Sequence, residues 1–185
     1  MNAVAPLNDL IAELPRASLF AVVDAAVLDG LLETLHAMGT SSFRCLLPGH
    51  IEPDIAHVAP YLAPLQAGSP LVAWLDTRCH LPWGYVIESG LSLAALQLHL
   101  RRFSETRGPQ GEEWWFRYWD PRVLRALVSI LDPTQGAAFM NGIVRIHVPG
   151  QGRPVTSASW DTQRGRIALS TDTPVPEGVI AHARV

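Results

Sequence analysis

The chain contains no lysine. All 14 of its basic residues are arginine. Arginine suits fixed, stacked or bidentate contacts, so the positive charge is expected to be positioned rather than merely solvated. Charge is scarce altogether. Charged residues make up 17% of the chain, hydrophobic residues 48%, and the net charge is -3. That balance is too apolar for intrinsic disorder and too acidic for a protein built to grip nucleic acid or an anionic membrane. Cysteine is nearly absent, and Cys45 and Cys79 cannot form the disulfide framework of a small secreted scaffold. No basic segment precedes the first apolar stretch, and the first cation is Arg16, so no secretory signal is read. The longest stretch without Asp, Glu or Arg, Ile55 to Leu75, is broken by Pro60, Pro64 and Pro70 and does not read as a membrane span. A cytoplasmic location is expected.

What is present is an alternation of strand and helix signals. A short helix is expected over 7–14. The apolar run Leu19 to Val23 reads as a strand covered on both faces. Asp24 is placed to cap a helix over 25–38, which Gly39 would stop. Ser42 to Leu47 reads as a second strand, and Tyr61 to Leu65 as a third whose prolines suggest an edge. Ser69-Pro70 starts a helix, Trp83 to Glu88 forms a strand, and Ser92 opens a helix carrying Leu93, Leu96, Leu100 and Phe103. Glu113 to Trp119 reads as an aromatic strand, with Trp114, Phe116 and Tyr118 pointing one way and Trp115, Arg117 and Trp119 the other. Asp120-Pro121 and Asp132-Pro133 each start a helix, Asn141-Gly142 ends the second, and Ile143 to Val148 is a strand. Weak strands follow at 154–160 and 166–170. The expected fold is an α/β layered domain over 1–149, a mixed β-sheet flanked by helices, with a short C-terminal β-ribbon in 150–185.

Chemistry is thinly signalled. Cys45, His50, Cys79 and His80 could be drawn into a metal site, but Cys79 and His80 are adjacent and no C-x-x-C or H-x-x-x-H unit is present. No G-x-S-x-G elbow, P-loop or G-x-G-x-x-G motif occurs. No catalytic residue, metal or cofactor is therefore expected. Asp24, at a strand end, is the one position where a small α/β enzyme could place a functional carboxylate; a helix cap is the simpler role. The aromatic strand with Arg117 resembles a base-stacking platform but lacks the RNA-recognition pattern. Arg117 is read as a partly buried cation stacked between Trp115 and Trp119.

The segments LFAVVDAA (19–26), APYLAPL (59–65), SPLVAWL (69–75), PWGYVIES (82–89), LSLAALQLHLRRF (91–103) and FRYWDPRVLRALVSILDP (116–133) together resemble the domain of unknown function 4123 family. That family consists of adaptor chaperones of the bacterial type VI secretion system. The resemblance spans about residues 19–148. It implies a non-enzymatic protein that binds a secreted effector in the cytoplasm and helps load it onto the spike protein (VgrG). The motif positions carried onto this chain are Trp83, Gly84, Arg101, Arg102, Phe116, Arg117, Asp120, Pro121 and Arg122. Many members carry a longer, more helical C-terminal region than residues 150–185. Partner-binding residues are expected among Arg101, Arg102, Arg117, Trp119, Asp120, Arg122 and Arg125, with neither nucleic acid nor membrane as partner.

Overall fold

In the computed structural model, residues 7–14, 18–38, 43–107, 110–149 and 155–172 are described. Seven strands form one sheet: β1 (Ser18–Asp24), β2 (Arg44–Cys45), β3 (Pro60–Leu65), β4 (Gly84–Ser89), β7 (Ile143–Val148), β8 (Val155–Asp161) and β9 (Arg166–Asp172). Their order is β2-β3-β1-β4-β7-β8-β9. A separate two-stranded hairpin joins β5 (Glu105–Arg107) to β6 (Glu113–Trp115). The helices are α1 (Leu7–Glu13), α2 (Leu31–Ala37), α3 (Pro53–Ala56), α4 (Pro70–Asp76), α5 (Leu93–Arg101), α6 (Pro121–Ile130) and α7 (Pro133–Met140).

The apolar run of β1 explains the layering. Its side chains alternate between faces, and both faces are covered. Phe20 and Val22 join a core with Tyr85 and Ile87 of β4, Leu96 and Leu100 of α5, Leu124 and Leu127 of α6, and Phe139 of α7. Leu19, Ala21 and Val23 join a second core with Leu7 and Ile11 of α1, Leu31 and Leu35 of α2, and Leu71 and Leu75 of α4. Each fully buried Leu contributes about 1.5–3 kcal/mol of transfer free energy. The expected layered α/β domain is therefore present, as helix, sheet and helix. Its sheet is more uniform than the mixed sheet expected: every described pairing is antiparallel. The cause lies in the connections. α4 carries the chain from β3 across β1 to β4, so β3 and β4 run the same way but never pair. Between β4 and its neighbour β7 the chain makes α5, a hairpin, α6 and α7, and strand direction is free to reverse. The β8–β9 ribbon pairs onto β7 and extends the same sheet.

The helix starts follow the sequence signals. The Ser69 and Ser92 hydroxyls accept the backbone N–H groups of Val72 and Ala95, and Asp132 and Gln135 form a reciprocal capping box. α1 is capped from outside: the Asp76 carboxylate, at the end of α4, accepts the backbone N–H groups of Leu7 and Asn8.

Four expectations are corrected. The helix expected over 25–38 is a turn followed by α2. Asp24 does not cap it, because Gly30 is the N-cap, in a left-handed conformation with φ 75°. The second strand shrinks to Arg44–Cys45. Tyr61 to Leu65 is not the outermost strand. β2 nevertheless reaches only Tyr61 and Leu62, which leaves Pro64 beyond its end. The aromatic strand stops at Trp115. Phe116 N–H still reaches the Ser104 carbonyl at 2.8 Å, but Tyr118 N–H then bonds back to the Phe116 carbonyl and Asp120 N–H to that of Arg117. These turns replace the strict alternation, so Tyr118 and Trp119 are both buried while Trp114 and Trp115 are both exposed. Gly39 lies outside the described residues, as do 173–185.

Gly84 marks the closest approach within the sheet. Its φ is 143°, and a Cβ there would lie 1.8 Å from the Val22 carbonyl oxygen. Gly84→Ala is expected to abolish folding or to remove roughly 3 kcal/mol or more of stability. Gly90→Ala, which would meet nothing within 4 Å, is expected to stay within about 0.5 kcal/mol of the parent. Urea denaturation of both variants checks the contrast.

Candidate functional site

β1 ends on Asp24, whose side chain is buried. A buried carboxylate is costly unless it is bonded. Here Oδ1 accepts the Ala26 N–H at 3.0 Å, and Oδ2 accepts Arg117 Nη2–H at 2.9 Å. The Arg117 side chain is itself 51% exposed. The sequence expectation of Arg117 stacked between two tryptophans is thus replaced by an ion pair across the fold.

Three residues further along, the arrangement repeats. Asp120 caps α6 by accepting the Arg122 backbone N–H at 2.8 Å. Arg122 turns its guanidinium back onto the same carboxylate, with Nε–H to Oδ1 at 3.0 Å and Nη2–H to Oδ2 at 2.7 Å. Side-chain exposure is 8% for Asp120 and 68% for Arg122. Burial raises the Asp120 pKa, but the Arg122 side-chain and backbone hydrogen bonds and the charges of Arg122 and Arg117 outweigh it, so the carboxyl titrates below its ordinary value. Asp24 in turn helps hold the Arg122 pKa above its ordinary value, behind the larger effect of Asp120. The four groups are therefore one electrostatic cluster. Two carboxylates lie inside and two guanidinium groups face solvent.

The other expected partner-binding residues are distributed differently. Arg101 is half-buried, and its Nη2–H donates to the Cys45 carbonyl at 3.1 Å. Gln97 donates to the same carbonyl at 2.8 Å. Both therefore clamp β2 to α5. Burial pushes the Cys45 thiol up, against a backbone hydrogen bond from Leu47 and the charge of Arg101. Arg102 is exposed and borders a surface depression of about 290 Å³ between α5 and the Asn141-Gly142 turn. Arg125 is half-buried one turn beyond Arg122. Trp119 is corrected to a core residue: it is 5% exposed and packs edge-to-face on Tyr118 at 5.4 Å. Asp120 is also nearly buried, with its carboxylate engaged by Arg122.

The β5–β6 hairpin leads directly into Arg117. Its two tryptophans are 51% and 59% exposed. Aromatics on both faces of a strand usually pack into a core, but this strand belongs to a hairpin outside the main sheet, which no local sequence signal marks.

Two further features were not foreseen. Arg78 lies over the Trp74 ring at 3.8 Å, one turn along α4 and its end. Across β4, β7 and β8, His147 pairs through Nε2 with Glu88 and bonds through Nδ1 to the Ser157 hydroxyl at 3.0 Å. All three are buried, and neither this depression nor a second one of about 500 Å³ beside α1 is lined by any of them or by Asp24. Among the described residues, no group of three or more His, Cys, Asp or Glu is placed to hold a metal ion.

Fold and site together define a three-layered domain that presents arginines over buried carboxylates. Residues 19–138 match the family described as Domain of unknown function (DUF4123), and the chain belongs to that family. No curated protein and no solved structure matches the chain. Among the described residues, no helix is long and apolar enough to cross a membrane.

Two predictions follow the division between core and surface. Trp119→Ala is expected to cost about 3–5 kcal/mol, whereas Trp114→Ala and Trp115→Ala should each change stability by only about 0.5 kcal/mol, as read by chemical denaturation. The second concerns acid. A carboxyl whose folded pKa is depressed adds stability above its unfolded pKa of about 3.9 and loses it as pH falls through the folded value. Asn can still cap α6, so Asp120→Asn isolates the charge. The variant should be less stable than the parent at neutral pH, and thermal melts should show the gap closing below about pH 4.

Proposed function

We propose that this protein is a non-enzymatic adaptor chaperone that binds a type VI secretion effector in the cytoplasm and helps load it onto the spike protein (VgrG). The observation that carries the reading is the segment 113–122. Within ten residues, overlapping the FRYWDPRVLR segment that carries the resemblance, it exposes Trp114, Trp115 and the heads of Arg117 and Arg122. Trp and Arg are the residue types that most often dominate binding energy at protein interfaces. An enzyme acting at Asp24 is the weaker alternative, because both carboxylate oxygens are already engaged.

The test is a tagged pull-down from the native host while it is making the secretion apparatus, read by mass spectrometry. An effector, with or without the spike protein, is expected among the specifically retained proteins. Recovery of neither would overturn the adaptor reading.

A further inference from the structure

We infer that the Arg117–Arg122 ledge recognises carboxylate side chains of a protein segment whose apolar residues rest on Trp115. The inference rests on the adaptor reading only for the identity of the protein that supplies that segment.

The argument begins with what the ledge leaves available. Arg117 uses one Nη2–H on Asp24, and Arg122 uses Nε–H and one Nη2–H on Asp120. Among the described residues, their remaining N–H groups have no hydrogen-bond partner, and a guanidinium carries five donors. Asp120 fixes the plane of the Arg122 fork through Nε–H and Nη2–H, and Asp24 tethers Arg117 through one nitrogen, so part of their rotamer freedom is already lost before binding. Forks held in this way match the two oxygens of a carboxylate.

Charge then selects the kind of anion. Asp24 and Asp120 balance Arg117 and Arg122, so the cluster is locally neutral although its outer face is positive. Glu105, Glu112 and Glu113 are exposed on the adjoining hairpin. A polyanion such as nucleic acid, or an anionic membrane, would meet those glutamates along with the arginines. A single carboxylate, or two, can reach the guanidinium groups without doing so. Isolated carboxylates bind such a site weakly in water. A useful partner segment therefore needs an apolar anchor, and the half-exposed indole of Trp115, two residues before Arg117, supplies its counterpart.

Side-chain Nε–H NMR on the full chain tests this. One titrant is a short blocked peptide in which Glu and Leu alternate. The others are the same peptide with Gln for Glu, and inorganic phosphate. The Glu peptide should shift the Arg117 and Arg122 resonances together with the Trp115 indole signal. The Gln peptide should bind at least about tenfold more weakly, a difference of roughly one decade in Kd. Arg122→Gln, and Arg117→Lys combined with Arg122→Gln, should each lose the preference for Glu. Arg117→Lys retains a cation for Asp24, and Arg122→Gln alone alters an exposed side chain, so folding can be confirmed by melting for each.

Equal binding of the two peptides, shifts confined to other residues, or phosphate acting as strongly as the Glu peptide would each overturn the inference. The two proposals fail separately. If the host pull-down recovers effector and spike equally well with Arg122→Gln, the ledge is not the recognition surface and the adaptor reading stands. If the Glu peptide binds as expected while the pull-down recovers neither, the adaptor reading falls and the acidic-segment site remains.

Discussion

The Asp24 carboxylate is where the main sheet and the motif segment are tied together. It lies at the end of β1, an interior strand covered on both faces, where an unbonded charge would be strongly unfavourable. Its two oxygens impose two consequences. One draws in the Ala26 N–H and closes a turn directly after β1, so the chain cannot run straight into a helix. The other holds Arg117, 93 residues away, against the sheet end. Tyr118 and Trp119 are thereby led into the core beneath α6, and Asp120 is set at that helix's first turn. Removing one member of such a pair would strand the other, and the buried carboxylate would suffer more than the half-exposed guanidinium.

The sheet is apolar on both faces only along part of its width. Around β3, β1 and β4 every layer is filled by aliphatic and aromatic side chains. Toward β7 and β8, one face changes to Glu88, His147 and Ser157, all buried and mutually bonded. Cross-strand register places His147 opposite Ser157, so the hydroxyl bond is a consequence of strand pairing rather than a separate device. Such a network fixes strand register, because a shift by one residue would expose its members to the apolar face. That constraint suits a region where the ribbon β8–β9 is joined to the rest of the sheet through β7 alone.

Local signals in the sequence were legible because their physics is local. Ser69, Ser92, Asp120 and Asp132 each cap a helix within three residues of themselves, and the apolar run 19–23 could only be a doubly covered strand. Longer-range features carried no such mark. Nothing within a few residues of Asp24 announces a partner at position 117, and a helix cap was the natural reading of a strand-end Asp that instead closes a turn onto Ala26 and pairs with Arg117. Strand direction was hidden because the segment between β4 and β7 contains three helices and a hairpin. The aromatic stretch 113–119 was misread for a related reason: its alternation is real for three residues, and then the bonds of 116–120 turn the chain. Of the candidate site, the motif singled out Arg117, Asp120 and Arg122, which the fold brings into one cluster with Asp24, while the burial of Trp119 was not separable from its neighbours by composition alone.

The absence of lysine has a physical counterpart at this site. A lysine at position 117 or 122 could neutralise the carboxylate beneath it, but its ammonium would be a single point of charge with its donors turned toward that carboxylate. A guanidinium can bond inward along one edge and still present N–H groups outward along another. The same side chain therefore satisfies a buried acid and keeps donors at the surface. This division of labour explains how a chain with a net charge of -3 can still offer a positive ledge: each surface cation is balanced from below, so the positive face adds no net charge to the cluster. It also explains why the ledge stays in one place. An unbalanced surface cation would sample many rotamers, whereas Arg122, held through two of its nitrogens, is confined to the edge of α6 on which Asp120 begins the helix.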